Sequence, residues 1–511
     1  MAFVLIVFVL PYFFSLVVAE FRLSLPSGFP RLLALSLAQA GASATFAILI
    51  GGLASVALFL NQRFGRGLEW FVLFPTVVPA LVTVLGFLSI FPSWKGLSAV
   101  VFIHGFSAMG LVAIVIHRQI RRKVGASLEL AWVEGAPRSS LWLKGVLPAV
   151  RGDLARLWIT VFATSLASFS VPLILGGSQP VTLEIAIHQA IRFESAWDIA
   201  AGLSLFQWGL LLALVLLVRS ASNGAGERNE RTALTTESET REGVDRILVA
   251  QDGVVSLLLR TISYALILCA PTVMLFALLR GPVLGWAQLE SAGLLQMTGP
   301  LLLALRGSFV TATLGGLLAA GLLFSLVFAL SASMPSEKLR SYLSSYVAPS
   351  AAITGYATLV IGWGRDPSFM LDALRIALGA ALLFAPVVWR LRWDETLSLL
   401  DGQILVARTL GATNGMIVRK VIFPHFREVI FWSAGLVAFW IWGDYALGAI
   451  AASRPMTLAL IAKGLLETYR LEAASLLILL CLVFGGLSYR IFIWGGGRVA
   501  GVNASSCVRK P

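Results

Sequence analysis

The chain has 511 residues, of which 58% are hydrophobic and only 13% charged, with a net charge of +13 and a mean hydropathy of +0.87. A soluble domain carries roughly 25% charged residues, so a soluble multidomain protein and a disordered chain are both excluded. The basic excess borders apolar runs and shows no aromatic–basic interleaving, which points to the positive-inside rule rather than to nucleic acid.

Three cysteines and four histidines leave no room for a disulfide scaffold or a histidine-built metal site. Cys269 and Cys481 lie in apolar runs and Cys507 near the C-terminus, none in a C-x-x-C pattern. No two histidines fall at i, i+3 or i+4.

Twelve apolar stretches are long enough to cross about 30 Å of hydrocarbon as helix. In chain order they are 2–19, 43–61, 70–90, 97–116, 155–176 and 199–218, then 254–280, 308–332, 347–363, 371–389, 430–452 and 473–493. The fold class expected is an all-α integral membrane protein of about twelve transmembrane helices. With a cytoplasmic N-terminus, the inward-facing loops hold more than twice the Lys and Arg of the outward-facing ones, so both termini are placed inside. The first stretch lacks a basic n-region and is read as a retained span rather than a signal peptide.

Residues 220–246 are polar, rich in Gly, Ser, Thr and Glu, and without apolar period, as a flexible linker is. The domains expected are a first half over 1–219, a cytoplasmic linker over 220–252, a second half over 253–494 and a cytoplasmic tail over 495–511.

The halves are related. Residues 129–148 read ELAWVEGAPRSSLWLKGVLP and residues 405–424 read LVARTLGATNGMIVRKVIFP, so that Ala131, Gly135, Ala136 and Pro148 recur as Ala407, Gly411, Ala412 and Pro424. Downstream, Ser178-x-Pro180-x-Thr182-Leu183 parallels Ser453-x-Pro455-x-Thr457-Leu458. A weaker match pairs Pro79 with Pro349. Each copy lies between equivalent spans six apart, which makes this a parallel duplication with a pseudo-two-fold axis along the membrane normal.

Both loop motifs fall in long cytoplasmic loops and suggest two short helices meeting at a small-residue corner. Gly135 and Gly411 permit the sharp turn. Ala131 and Ala407 leave a low face that another protein can approach. Pro148 and Pro424 end the second helix and redirect the chain. An ordinary membrane-surface helix, for which Trp132, Trp142, Arg138 and Lys144 are suited, would not explain the matched Gly and Pro spacing.

Glu129-Leu130-Ala131…Gly135…Gly145-Val146-Leu147-Pro148 and Leu405-Val406-Ala407…Gly411…Val421-Ile422-Phe423-Pro424 resemble the signature of permease subunits of bacterial ABC importers, E-A-A, three residues, Gly, nine residues, I-x-L-P. The doubled form is similar to the fused permeases of the ferric-iron and thiamine importer group. The resemblance implies that Glu129, Ala131, Gly135, Ala136, Leu147 and Pro148, with Ala407, Gly411, Ala412, Phe423 and Pro424, form two coupling helices docked on two copies of a separate ATP-binding cassette ATPase. A periplasmic solute-binding protein would deliver the solute. Leu405 stands where the first copy has Glu129, and Gly145 and Val421 replace the family isoleucine, so unequal coupling of the halves is expected.

Asp444 lies mid-span, where a carboxylate costs about 2.5–3.5 kcal/mol on insertion scales. It is read either as lining a pathway or as sitting at the outer interface of a shorter span. Glu184, His188 and Arg192, and likewise Lys463 and Glu467, are read as solvated i,i+4 pairs. His104 and His425 are read as packed, and Arg260 as snorkelling.

There is no G-x-x-x-x-G-K-[ST], H-E-x-x-H or G-x-S-x-G stretch. The expectation is a non-enzymatic permease in the bacterial inner membrane, without a cofactor or metal, surrounded by lipid and unconnected with nucleic acid. The alternative is an ion-coupled secondary transporter with duplicated halves.

Overall fold

The computed structural model describes residues 23–60, 65–137, 140–177, 182–223, 254–291, 293, 298–332, 350–359, 361 and 366–507. The expected first span at 2–19, Arg138, residues 178–181, the linker beyond Asn223, and Pro349 lie outside the described residues. So does the Glu129 side chain.

The described chain is helical. In the first half, α1 (Phe29–Leu60), α2 (Gly65–Val77), α3 (Ala80–Ile90) and α4 (Leu97–Val133) precede a π-helical segment (Leu141–Val146). They are followed by α5 (Leu147–Leu166), α6 (Ser170–Leu175), α7 (Leu183–Arg192) and α8 (Trp197–Asn223). The second half begins with α9 (Val254–Ser291), α10 (Thr298–Ala332), α11 (Ala351–Leu359) and α12 (Phe369–Val388), then a π segment (Trp389–Trp393) and α13 (Asp394–Thr409). It ends with α14 (Asn414–Ile417), a third π segment (Val418–Ile422), α15 (Phe423–Gly443), α16 (Ala446–Ala451), α17 (Leu458–Glu467) and α18 (Leu471–Cys507).

Among the described residues, eight helices are long and apolar enough to cross a membrane, or nine if α2 and α3, bent by 103°, count as one broken span. The bend falls at Val78-Pro79, where proline forces the preceding residue out of the α region. The expected span 155–176 is likewise interrupted, since α5 stops at Leu166 and α6 starts at Ser170. The expected span 430–452 is broken between α15 and α16.

The duplication is visible in the helices. α6 and α16 are related by the same 276-residue offset as the loop motifs, and α7 and α17 by 275. Ser195 ahead of α8 and Tyr469 ahead of α18 both have positive φ, 52° and 57°, and are the two non-glycine residues that do among the described residues.

The chain forms two compact units, and they are not the two sequence halves. One comprises Pro30–Thr182 with Leu212–Leu278; the other comprises Leu183–Leu211 with Leu279–Pro511 and the described residues ahead of Pro30. In the second unit, α7 of the first half packs on α11 and α16 of the second. Close helix approach rests on glycine: a Cβ at Gly110 would lie 2.0 Å from the Val72 carbonyl oxygen, and one at Gly307 would lie 1.8 Å from that of Met456. Small residues of this kind set helix packing where lipid removes the hydrophobic drive.

Candidate functional site

The loop motifs are built by long helices rather than two short ones. α4 continues from its apolar stretch to Val133, and in the second half the π segment Trp389–Trp393 and α13 extend α12 to Thr409. Each arm then turns at one glycine. Gly135 has φ of 81° and Gly411 of 78°, left-handed values that a side chain resists.

The hydrogen bonds at the two corners match. Gly135 N–H donates to the Trp132 carbonyl and Ala136 N–H to that of Ala131, each at 3.0 Å. Gly411 N–H donates to Arg408 at 2.9 Å and Ala412 N–H to Ala407 at 3.0 Å. These are the bonds of a left-handed helix C-terminus, which satisfies carbonyls that would otherwise lack partners. Thr413 then caps the next helix by accepting from Met416 N–H.

Pro148 and Pro424 do not end a helix, contrary to the sequence reading. Each occupies the first turn of a long helix, α5 or α15, directly after a π-helical segment. The wider π turn accommodates a ring that would clash with the carbonyl four residues back in an α-helix. Among the described residues, the left-handed backbone at each corner is that of the glycine.

Ala131 and Ala136 also turn inward rather than outward. They pack on a cluster of Phe59, Ile120, Val124, Leu141, Val146 and Val150. The outward face is carried by their neighbours. Leu130 and Val133 are 63% and 82% exposed, and Leu405, Val406 and Leu410 are 57%, 57% and 80% exposed. Leu147 and Phe423 are also exposed. In each half an ion pair braces the arm before the corner against the arm after it: Lys123 to Asp153 at 2.6 Å, and Arg392 to Glu428 at 2.9 Å. Such partly exposed pairs contribute little energy; they mark where the two arms lie side by side.

Asp444 sits in the helix break. Its backbone is extended (φ −88°, ψ 123°), and its carboxylate accepts from Ala446 N–H at 3.2 Å and Leu447 N–H at 3.3 Å. It caps α16, a geometry neither sequence reading anticipated. The short apolar helix after it hid the break, because hydropathy stays high across it.

The solvated reading of Glu184 and His188 is overturned. Glu184 is fully buried and His188 nearly so. The Glu184 carboxylate accepts hydrogen bonds from the Gln207 side-chain amide and from Ala352 N–H at 3.3 Å, and is also bonded to Ser350. Burial pushes its pKa up to about 8, against the opposing effect of those bonds. Burial, then the charges of Lys463 and Arg192, lower His188 to about 4. Lys463 and Glu467 do form the expected i,i+4 pair, at 3.1 Å.

Sequence reasoning missed Asp372. It is fully buried, pairs with Arg375 at 3.4 Å and accepts from Ser453 N–H at 3.0 Å. It thereby anchors the Ser453-x-Pro455 motif, and no local pattern announces it.

The chain matches permease proteins of known transport systems. It is 29% identical over 217 residues to the thiamine transport system permease protein of Brucella abortus (strain 2308), covering 38% of this chain and 40% of that protein. Against the Haemophilus influenzae thiamine transport system permease protein it is 29% identical over 223 residues, 39% and 41% of the two chains. Against the Escherichia coli (strain K12) putrescine transport system permease protein PotI it is 26% identical over 169 residues, 31% and 60%. The matched region spans about 40% of the length of the thiamine relatives. No family model matches the chain, and no solved structure matches it. The resemblance to the ABC-importer permease group, drawn from the doubled loop motif, is borne out by these relatives, as is the all-α, multi-pass membrane architecture.

Proposed function

We propose that this chain is the transmembrane permease subunit of an ATP-driven importer in the bacterial inner membrane, moving a small solute inward by alternating access. A separate ATPase, in two copies, docks on the corners at Gly135 and Gly411, and a periplasmic binding protein delivers the solute. The chain carries no chemistry of its own.

One observation carries the reading: two braced corners of the same backbone geometry, each presenting exposed leucine and valine on an arm that continues a membrane helix. A rigid lever of this kind moves its span when its tip is pulled. Exposed apolar side chains at the tip favour a protein partner over water. An ion-coupled carrier also uses broken helices, but it gives the paired corners nothing to do.

The test is purification of the tagged chain from native membranes with mass spectrometry of what accompanies it. A stoichiometric P-loop ATPase, lost when Gly135 and Gly411 are both changed to Pro, is expected. A chain that purifies alone yet supports gradient-driven uptake would overturn the proposal.

A further inference from the structure

The helix breaks that interrupt α5–α6 and α15–α16 fall at the same place in each repeat. The 276-residue offset that aligns the corners also aligns Ala167 with Gly443, Ser168 with Asp444 and Phe169 with Tyr445. Phe169 and Tyr445 are both buried, at 1% exposure. Ser168 and Asp444 are both half-buried, and both are polar. Asp444 caps α16, and Ser168 stands at the matching position ahead of α6, so both copies carry a polar residue at the break.

In the first unit, Ser168 ends a buried polar chain. Gln39 Nε2 lies 2.7 Å from His104 Nδ1, and His104 Nε2 lies 2.8 Å from Ser168 Oγ. Gln39 Nε2 only donates, so Nδ1 accepts and Nε2–H donates to the serine oxygen. The Ser168 hydroxyl hydrogen is thereby turned away from the chain. Gln39 also donates to Ser43 at 3.1 Å, and its own buried Oε1 has no partner among the described residues. Gln39 lies ~15 Å inside the end of α1, at 1.5 Å per residue, well within the apolar stretch. Buried polar groups are ordinarily satisfied, and intramembrane ones mark pathways.

In the second unit, Asp444 has only backbone N–H donors and no cationic side chain on it among the described residues. Two N–H bonds leave part of the carboxylate's acceptor capacity open.

We infer that Ser168, oriented by His104 and Gln39, and Asp444 are the solute-contacting residues of their respective units, placed at repeat-equivalent helix breaks. Ser168 is left with a hydroxyl that donates and Asp444 with a carboxylate that accepts, which suits a solute that presents both an acceptor and an N–H or O–H donor. The inference rests on the permease reading and extends it to residues of the path.

The experiment uses the full chain in native membranes, with Cys269, Cys481 and Cys507 changed to Ala. Ser168→Cys and Asp444→Cys are made separately and treated with 2-(trimethylammonium)ethyl methanethiosulfonate, which reaches thiols only through water. Ser453→Cys, exposed, and Ser433→Cys, fully buried, are the positive and negative controls. Labelling at both breaks is expected, with a rate that changes severalfold between nucleotide-free and ATP-trapped membranes. An unreactive thiol at either break, with Ser453→Cys labelled, would overturn the paired assignment. Should Asp444→Cys not accumulate, the unmodified chain is treated with a water-soluble carbodiimide and glycine ethyl ester. Amide formation at Asp444, read by mass spectrometry, is then expected, and its absence counts against the assignment. An unreactive chain that still co-purifies with an ATPase sinks this inference alone. A reactive chain with no ATPase partner sinks the importer reading instead.

Discussion

Replacing the corner glycines one at a time separates backbone strain from crowding. A Cβ built on Gly135 or Gly411 meets nothing within 4 Å, so a side chain there costs only what the left-handed backbone costs. For an L-residue that is roughly 1–2 kcal/mol, and less for Asn, which enters this region several-fold more readily than most residues. Proline is a different case. Its φ is held near −65° against an observed 78° at Gly411, and it removes the N–H that bonds Arg408. The expected order of ATPase association with detergent-solubilised permease is Gly, then Asn, then Ala, with Pro last. On the premise that an Ala corner relieves its strain in the free permease by leaving the docking geometry, the Ala step should weaken association by about 5–30-fold, which is what 1–2 kcal/mol amounts to. Titration of labelled ATPase against each variant reads this directly. An Asn variant weaker than the Ala variant, or an Ala variant as tight as Gly, would refute the backbone argument.

Glu184→Gln should remove a pH dependence of stability. The Glu184 pKa is raised from 4.5 to about 8, so the folded state holds a proton that the unfolded state releases. Stability from this group is full below about pH 4.5 and falls as pH rises toward 8; thermal melts across that window should slope down in the unmodified chain and flatten in the variant. Gly307→Ala should lower the melting temperature markedly, because its Cβ would meet the Met456 carbonyl at 1.8 Å, whereas Gly321→Ala, with nothing within 4 Å, should leave it unchanged or raise it slightly. Because Leu405 replaces the acidic residue of the first copy, Gly135→Pro and Gly411→Pro should reduce ATPase stimulation to different extents; equal losses would argue for equivalent halves.

The corners were legible because their geometry demands glycine, and a demand made twice at one spacing stands out against apolar background. Their orientation was not. Ala131 looked like an open face and proved to be packing, since the residues it meets, Phe59 and Val150 among them, are distant in sequence. The role given to Pro148 failed because a π-helical turn leaves no mark in composition. The breaks at Ser168 and Asp444 were hidden by apolar residues on both sides. Glu184 read as solvated because its i,i+4 neighbours are polar; its burial depends on Gln207 and on Ala352, 168 residues away. Periodicity reports what a helix offers, whereas long-range partners decide which face is covered.

The central claim, that both corners dock one kind of ATPase, is tested most directly by photocrosslinking. A benzophenone amino acid is placed at Val133 in one chain and at Leu410 in another, the most exposed apolar positions of the two tips. Irradiation of native membranes should join each variant to the same nucleotide-binding polypeptide, with yield that changes when ATP is trapped. Crosslinks to lipid alone from both positions would contradict the account.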